Sequence, residues 1–444
     1  MESSSYVPKG VRMIAERLAG GGMARNRVRI ESQGASSVNA GQIISFSLPE
    51  GVIDLKSFKI HARVKTTESA NSAETVKVIG KLPADASSLI ARLEIQASGQ
   101  QLTHASSEFN SISRVLKLCK VSHAHDHSVE RLLSHSEHKT DKAVDDVSLV
   151  FMNLYGLFSD SSVRYLDSSL IGPIVVRISL AGPEVITAVS STGSAVLGTA
   201  LTTDEAALPN PTFSASEIYS TVDVLSMPEI YSQLVRERLA TNGSISFNYK
   251  DFLSFSLPGQ SGDTASISFN LSAQSLDKIY VVMRDSSYNA GTPNPGFKLS
   301  DEAVAFGDAN LSSYFRFRTF DSTSSHDGTA SYQFNLNNVS WPQYRMRVSD
   351  ALYNMAYCAD IDRRDGLIVQ SRLAAHQAYG VFICPLSLTD EGVGLLSGYD
   401  CRGVNSTFRF DAQGLVSGEK AVFAVAECTK TLVIGPGQQL SIMH

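Results

Sequence analysis

Apolar and polar residues alternate with a period of two along most of the chain, in short runs separated by Gly, Pro, Ser, Asn and Asp. Ile44-Ser45-Phe46-Ser47-Leu48 sets three apolar side chains on one face of an extended segment and the serines on the other. Phe58-Lys59-Ile60-His61-Ala62-Arg63-Val64 repeats the alternation. Ile174-Val175-Val176-Arg177-Ile178-Ser179-Leu180 is rich in β-branched residues and is bracketed by Gly172-Pro173 and Gly182-Pro183, a strand with a stop at each end. Helical periodicity is confined to a few segments. The expected class is all-β.

The same succession of segments occurs twice, with a period of about half the chain. Ile44 to Leu48 returns as Ile267-Ser268-Phe269-Asn270-Leu271, and each is followed by a Leu-led strand, Leu55 to Val64 and Leu276 to Arg284. Leu93-Glu94-Ile95 and Phe334-Asn335-Leu336 then each open a strand, a turn and a helix. The first helix has Ser106 or Ser107 as its cap and Phe109, Ile112 and Leu116 on one face; the second has Ser349 as cap, then Leu352, Met355 and Ala356. A strand with a central arginine follows, Ile174 to Leu180 and Thr407-Phe408-Arg409-Phe410, and Ile218 to Leu225 and Ala421 to Ala426 close the halves. Five matches in one order predict a duplicated β sandwich.

Between the halves, Met227 to Ala240 reads as a helix. Pro228 suits its first position, Glu229 its N-terminus, and Arg236 and Arg238 its C-terminus. Ile230, Leu234 and Arg238 share a stripe beside Tyr231 and Val235, and Asn242-Gly243 ends it. The expected division is an arm over residues 1–27, a β unit over 28–226, a helical linker over 227–242 and a second β unit over 243–444. Thr66 to Glu74, Val189 to Pro211 and Asp285 to Asn310 are rich in Ser, Ala, Thr, Gly and Asn and are expected as surface loops at the ends of the sandwiches.

Composition narrows the function. The chain has 444 residues, of which 43% are hydrophobic and 18% charged, enough for two cores. The net charge of −6 is too mild for a general nucleic-acid binder, but it is unevenly placed. Residues 1–30 carry Lys9, Arg12, Arg17, Arg25, Arg27 and Arg29 against Glu2 and Glu16, a net +4 on an otherwise acidic chain. Within this stretch Val11, Ile14, Ala15 and Leu18 fall at helical spacing, and Gly20-Gly21-Gly22 reads as a hinge. Cys119, Cys358, Cys384, Cys401 and Cys428 are odd in number and never form C-x-x-C, which points to reduced thiols. The start has no signal-like apolar core, no run approaches the ~18 residues of a membrane span, and the N-x-[ST] triplets at Asn242, Asn270, Asn310, Asn338 and Asn405 are read as chance. The protein is expected to fold in a reducing compartment.

Catalytic motifs are few. His123-Ala124-His125-Asp126-His127, with His104, His135 and His138 nearby, has metal-ligand chemistry. It is one residue short of the H-x-H-x-D-H run of metallo-β-lactamase folds, whose αββα layout the strand pattern does not match, so a solvated loop is expected. Asp360-Ile361-Asp362-Arg363-Arg364-Asp365-Gly366 places Arg364 where a calcium loop needs oxygen. Gly259-Gln260-Ser261-Gly262 lacks nucleophile-elbow spacing, and there is no phosphate-binding G-x-x-x-x-G-K-[ST] loop. No metal, cofactor or catalytic residue is expected.

A duplicated β sandwich with a helix in each half and a helical connector resembles the double jelly-roll major capsid proteins of the lineage shared by tectiviruses, adenovirus hexons, virophages and polinton-like viruses. Tyr165-Leu166-Asp167-Ser168-Ser169-Leu170-Ile171-Gly172-Pro173 leading into Ile174 to Leu180 is similar to the family's late first-roll segment. Ser216-Glu217-Ile218 through Val224, then Met227-Pro228, is similar to its passage between rolls. The resemblance spans roughly residues 30 to 444 and implies two eight-stranded jelly rolls. It also implies a homotrimeric pseudo-hexagonal capsomer in an icosahedral virion around double-stranded DNA, assembled inside the host cell with neighbouring capsomers, penton and minor capsid proteins. The loops are short for the lineage, so any outer tower should be modest. The resemblance puts the N-terminus inside the shell, where Lys9, Arg12, Arg17, Arg25, Arg27 and Arg29 would meet an internal membrane, genomic DNA or a neighbouring trimer; the alternative is a frayed terminus. Two other readings stand beside the capsid one. A tandem carbohydrate-binding or adhesion sandwich is disfavoured by the single tryptophan, Trp341, and a metallohydrolase would need the His cluster.

Overall fold

A computed structural model describes residues 24–34, 36–73, 77–83, 86–103, 108–120, 147–152, 154–190, 204, 207–227, 229–285, 294–297, 311–312, 330–347, 350, 381–386, 398–402, 406–415 and 420–443. Its strands run in two sets. The first is β1 (Ala24–Glu31), β2 (Ser37–Asn39), β3 (Ile43–Ser47), β4 (Val52–Thr66), β5 (Glu68–Ala70), β6 (Lys77–Lys81), β7 (Ile90–Ala97), β8 (Gln100–Gln101), β9 (Val147–Phe151), β10 (Tyr165–Asp167), β11 (Ile174–Leu180), β12 (Thr187–Ser190) and β13 (Phe213–Ser226), with helices α1 (Phe109–Lys120) and α2 (Ser168–Ile171). After helix α3 (Glu229–Asn242) come β14 (Ile245–Gln260), β15 (Ala265–Leu271), β16 (Leu276–Asp285), β17 (Asn294–Phe297), β18 (Leu311–Ser312), β19 (Ser331–Leu336), β20 (Val339–Arg347), β21 (Phe382–Pro385), β22 (Ser406–Gln413), β23 (Lys420–Ile434) and β24 (Leu440–Met443).

The duplication expected from the sequence is a duplication of sheet order. In the first half β1, β13 and β4 lie side by side, with β9 and β10 along the far edge of β4; the facing sheet runs β3-β11-β7-β8. In the second half the orders are β14-β23-β16-β21 and β15-β22-β19-β20. The two halves match strand for strand, and every pair within them is antiparallel. Alternation then fills each sandwich from both sides. Phe46, Ile95, Val176 and Ile178 meet Ile53, Ile60, Val64 and Val222 in the first, and Phe269, Phe334, Phe408 and Phe410 meet Val281, Met283, Ala424 and Ala426 in the second. Arg177 and Arg409, the central arginines of β11 and β22, both point away from these cores to solvent.

Two boundaries differ from expectation. Strand β1 opens at Ala24, inside the segment read as an arm ending at residue 27, because its ladder with β13 continues as far as Ala24 opposite Ser226. Parts of the segments read as loops are strands. β5, β6, β12, β17 and β18 form a five-stranded sheet drawing on insertions of both halves, with β12 and β17 parallel. Their unpaired edges find one another only once the rolls stand side by side. Helix α3 falls where the linker was expected, with Val235 buried, Gln233, Arg236 and Glu237 exposed, and Gly243 at φ +72° receiving the turn.

Candidate assembly surfaces

The first surface is the seam between the halves. Helix α1 gives Phe109 to its own sandwich core and turns Ile112, Val115 and Leu116 outward. These pack on the outer face of the second sandwich, against Phe252 of β14, Tyr280 and Val282 of β16, Ile383 of β21 and Phe423 and Val425 of β23. Burying each aliphatic side chain contributes about 1.5–3 kcal/mol. At the start of the helix, Arg284 Nη2 donates to Glu108 Oε2 at 3.0 Å and to Ser111 Oγ at 2.6 Å. Farther along this face Lys250 Nζ donates to Asp277 Oδ2 at 2.7 Å, Thr429 Oγ1 to the same oxygen at 2.6 Å, and the Tyr280 hydroxyl to Glu427 Oε2 at 2.8 Å. Main-chain pairing extends the joint, Asn248 accepting from Ser162 N at 2.8 Å and Lys250 N donating to Asp160 at 3.0 Å.

The second surface is the outer face of β1, β13 and β4. Asp223 and Asp54 are buried, 2% and 1% exposed, each between two apolar neighbours in its strand. Arg27 Nε donates to Asp223 Oδ1 and Arg25 Nε to Asp223 Oδ2, both at 2.8 Å. Asp54 accepts from Arg25 Nη2 at 3.3 Å and Arg164 Nη2 at 3.0 Å. The hydrogen bond from Arg27 holds the Asp223 carboxyl below its usual pKa, against the opposing effect of burial. Arg29 lies over Tyr219 at 4.0 Å and pairs with Glu31 at 2.7 Å. Tyr219 in turn stacks on His61 at 4.7 Å, and His61 Nε2 is 3.0 Å from Thr221 Oγ1. Lys59 and Arg63 complete a basic face on which Arg27, Arg29 and Arg63 remain exposed.

The structure separates the six basic residues singled out in the sequence. Arg25, Arg27 and Arg29 are strand residues engaged with carboxylates, while Lys9, Arg12 and Arg17 lie outside the described residues. Sequence reading missed Asp54 and Asp223, whose signal was a carboxylate set between apolar neighbours, Ile53-Asp54-Leu55 and Val222-Asp223-Val224. It also missed Arg284, Asp277 and Glu427. The His123–His127 run and the Asp360–Asp365 segment lie outside the described residues; among the described residues no three His, Cys, Asp or Glu side chains gather as metal ligands. Cys384, Cys401 and Cys428 are buried and unbonded to one another, and burial raises the Cys401 and Cys428 thiols above their ordinary pKa.

No family model matches the sequence, and no curated protein matches it either. Solved structures do match. A subunit of the PBCV-1 virus capsid superposes with a TM-score of 0.59 at 11% identity, covering 95% of this chain and 97% of that one. The fold is the double jelly roll. The Faustovirus major capsid protein matches with a TM-score of 0.51 at 8% identity over 93% of this chain and 91% of its own, and a Sputnik virophage chain with 0.51 at 11% over 95% and 88%. In this double jelly roll, the seam joins roll to roll through α1, and the basic face belongs to the first roll alone.

Proposed function

We propose that the chain is the major capsid protein of an icosahedral double-stranded DNA virus, three copies forming a pseudo-hexagonal capsomer. The observation that carries this reading is the strand-for-strand match of two rolls joined through α1, which makes one chain a pair of like tiles. Like units in head-to-tail contact are the material of closed rings. Full-length likeness to capsid proteins supports the same reading. The role is structural rather than enzymatic, and the buried carboxylates Asp54, Asp223, Asp277 and Glu427 support it, since cationic or hydroxyl groups already hold them. Neighbouring capsomers, penton and minor capsid proteins would surround the tile in the virion. Lys9, Arg12 and Arg17 would face the particle interior, toward genomic DNA or an internal membrane. The adhesive reading is the weaker, because Trp341 is the single tryptophan of the chain and its indole is engaged within it, donating to the Pro385 carbonyl at 3.4 Å.

Electron microscopy with light scattering on the expressed protein tests the proposal. Trimers of pseudo-hexagonal outline, and shells in the presence of the other virion proteins, are expected. A chain that stays monomeric at every concentration overturns it.

A further inference from the structure

Strands β14 and β23 are shared between the two cores. On one face of their ladder, Leu253 and Phe255 of β14, with Ala424, Ala426 and Cys428 of β23, belong to the apolar core of the second roll. Farther along the same face Phe247 and Tyr249, with Leu432 and Ile434, belong to the core of the first. Between the two sets the alternation places Asp251 and Lys430. Asp251 stands opposite Cys428 and Lys430 opposite Tyr249, so the two are diagonal neighbours on adjacent strands. Both are 3% exposed, and Lys430 Nζ is in direct contact with Asp251 Oδ2. Lys250, on the opposite face, keeps 17% of its side chain in solvent; Lys430 keeps 4%.

The penalty of taking two charges out of water weighs against their attraction. Passing one proton from the ammonium to the carboxylate removes both charges and leaves a neutral amine against a neutral carboxylic acid. A desolvated lysine amine is a nucleophile. The strands hold it against its target, and effective concentrations of well-oriented groups reach roughly 10⁵–10⁸ M.

We propose that Lys430 and Asp251 condense to an amide, a covalent staple between β14 and β23 at the passage from one core to the other. The amine attacks Cγ and forms the C–N bond. A second proton moves from Nζ to Oδ2, the Cγ–Oδ2 bond breaks, and one water leaves. The product keeps one N–H on Nζ and the carbonyl at Oδ1, and nothing is oxidised or reduced. A cavity of about 250 Å3 lies beside the amine, lined by Lys430, Cys428, Leu253, Leu271 and Asn270. It has room for the departing water, which needs about 30 Å3, and Asn270 on its wall is exposed to solvent. Exclusion of bulk water from the two cores protects the amide from hydrolysis. The staple fixes the register in which Tyr249 and Leu432 enter the first roll. It stands apart from the capsid reading, because it needs only the folded chain.

Intact mass of the full-length folded protein tests this. The wild type should weigh one water less than its sequence, and digestion should yield a branched peptide that joins the segments around Asp251 and Lys430. Lys430→Arg keeps the cation but not the nucleophilic amine, and should weigh its full sequence mass. If that variant does not fold by circular dichroism, Asp251→Val combined with Lys430→Met takes its place, since it leaves neither ion unpaired. Wild-type chain recovered unfolded should carry its full mass and lose the water as it refolds. Folded wild type of full mass, fresh and after long incubation, overturns the staple and leaves an ordinary buried ion pair. A missing water that maps elsewhere, as in an aspartyl succinimide, with the two segments separate, overturns it equally. Neither result bears on whether the chain builds capsids.

Discussion

The Tyr249 hydroxyl, in the first strand of the second roll, donates a hydrogen bond of 2.6 Å to the carbonyl of Leu102 in the first. Phe247, Tyr249, Leu432, Ile434 and Leu440 are all counted in the first roll's apolar cluster, so the second roll contributes side chains to the core of its neighbour. The division at the linker is covalent; the packing does not respect it.

Tyr249→Phe should therefore destabilise the first roll and not only the second. It leaves a buried carbonyl without its partner, at a cost of about 1–3 kcal/mol. Calorimetry should show the wild-type rolls unfolding in one transition, which the variant shifts as a whole. Two separate transitions, one of them unmoved, would refute a shared core.

Asp223→Asn removes the charge that Arg25 and Arg27 address. Because Arg25 is half exposed and Arg27 largely exposed, solvent screening keeps the expected loss to about 1–3 kcal/mol, below that for a fully buried pair. The folded pKa of Asp223 lies below its unfolded one, so its contribution is full above the ordinary carboxylate range, about pH 4, and is lost as pH falls through the lowered value. Urea melts of the variant against pH should show a flatter acid limb than the wild type. An unchanged limb would mean the pairing has no weight.

His61 is held below the ordinary histidine pKa first by burial, then by the positive charges of Lys59, Arg27 and Arg29; Arg63, Tyr219 and Thr221 also stand around it. Protonation favours the unfolded chain, so stability from the neutral ring is present above about pH 6.5 and declines as pH falls through the lowered value. His61→Gln should lessen that decline. Stability measured at pH 7 and pH 5 checks it, and an equal drop in both proteins would exclude His61 as the cause.

Deleting residues 1–23 should leave folding and oligomerisation nearly intact, since the described sheet starts at Ala24. Deleting residues 1–31 should not, because it strips β1 from β13 and leaves Asp223 without Arg25 and Arg27. Melting temperature separates the two truncations. For the shorter one, capsid yield or attachment to DNA or anionic membranes should fall, and salt should mimic the loss if charge is the cause.

Much of this architecture could be read locally. Ile44 to Leu48 and Ile267 to Leu271 declare their strands by period-two alternation, and Phe109, Ile112 and Leu116 declare α1 by its own period. The duplication followed from repetition, and the linker from its caps. Alternation says which side chains share a face, but it carries no information on what that face meets. Phe109 and Ile112 are alike in sequence pattern, yet one fills its own roll and the other covers the next.

The sequence by itself therefore determined the class, the duplication, the helical linker and the basic bias of the N-terminal segment. Only the tertiary structure decided that Arg25 and Arg27 answer Asp223, that insertions from both halves share a sheet, and that Arg284 reaches Glu108. The reason is range. Periodicity and capping act within a few residues, whereas these pairings join residues 173–198 positions or whole domains apart and exist only once two packed surfaces have met.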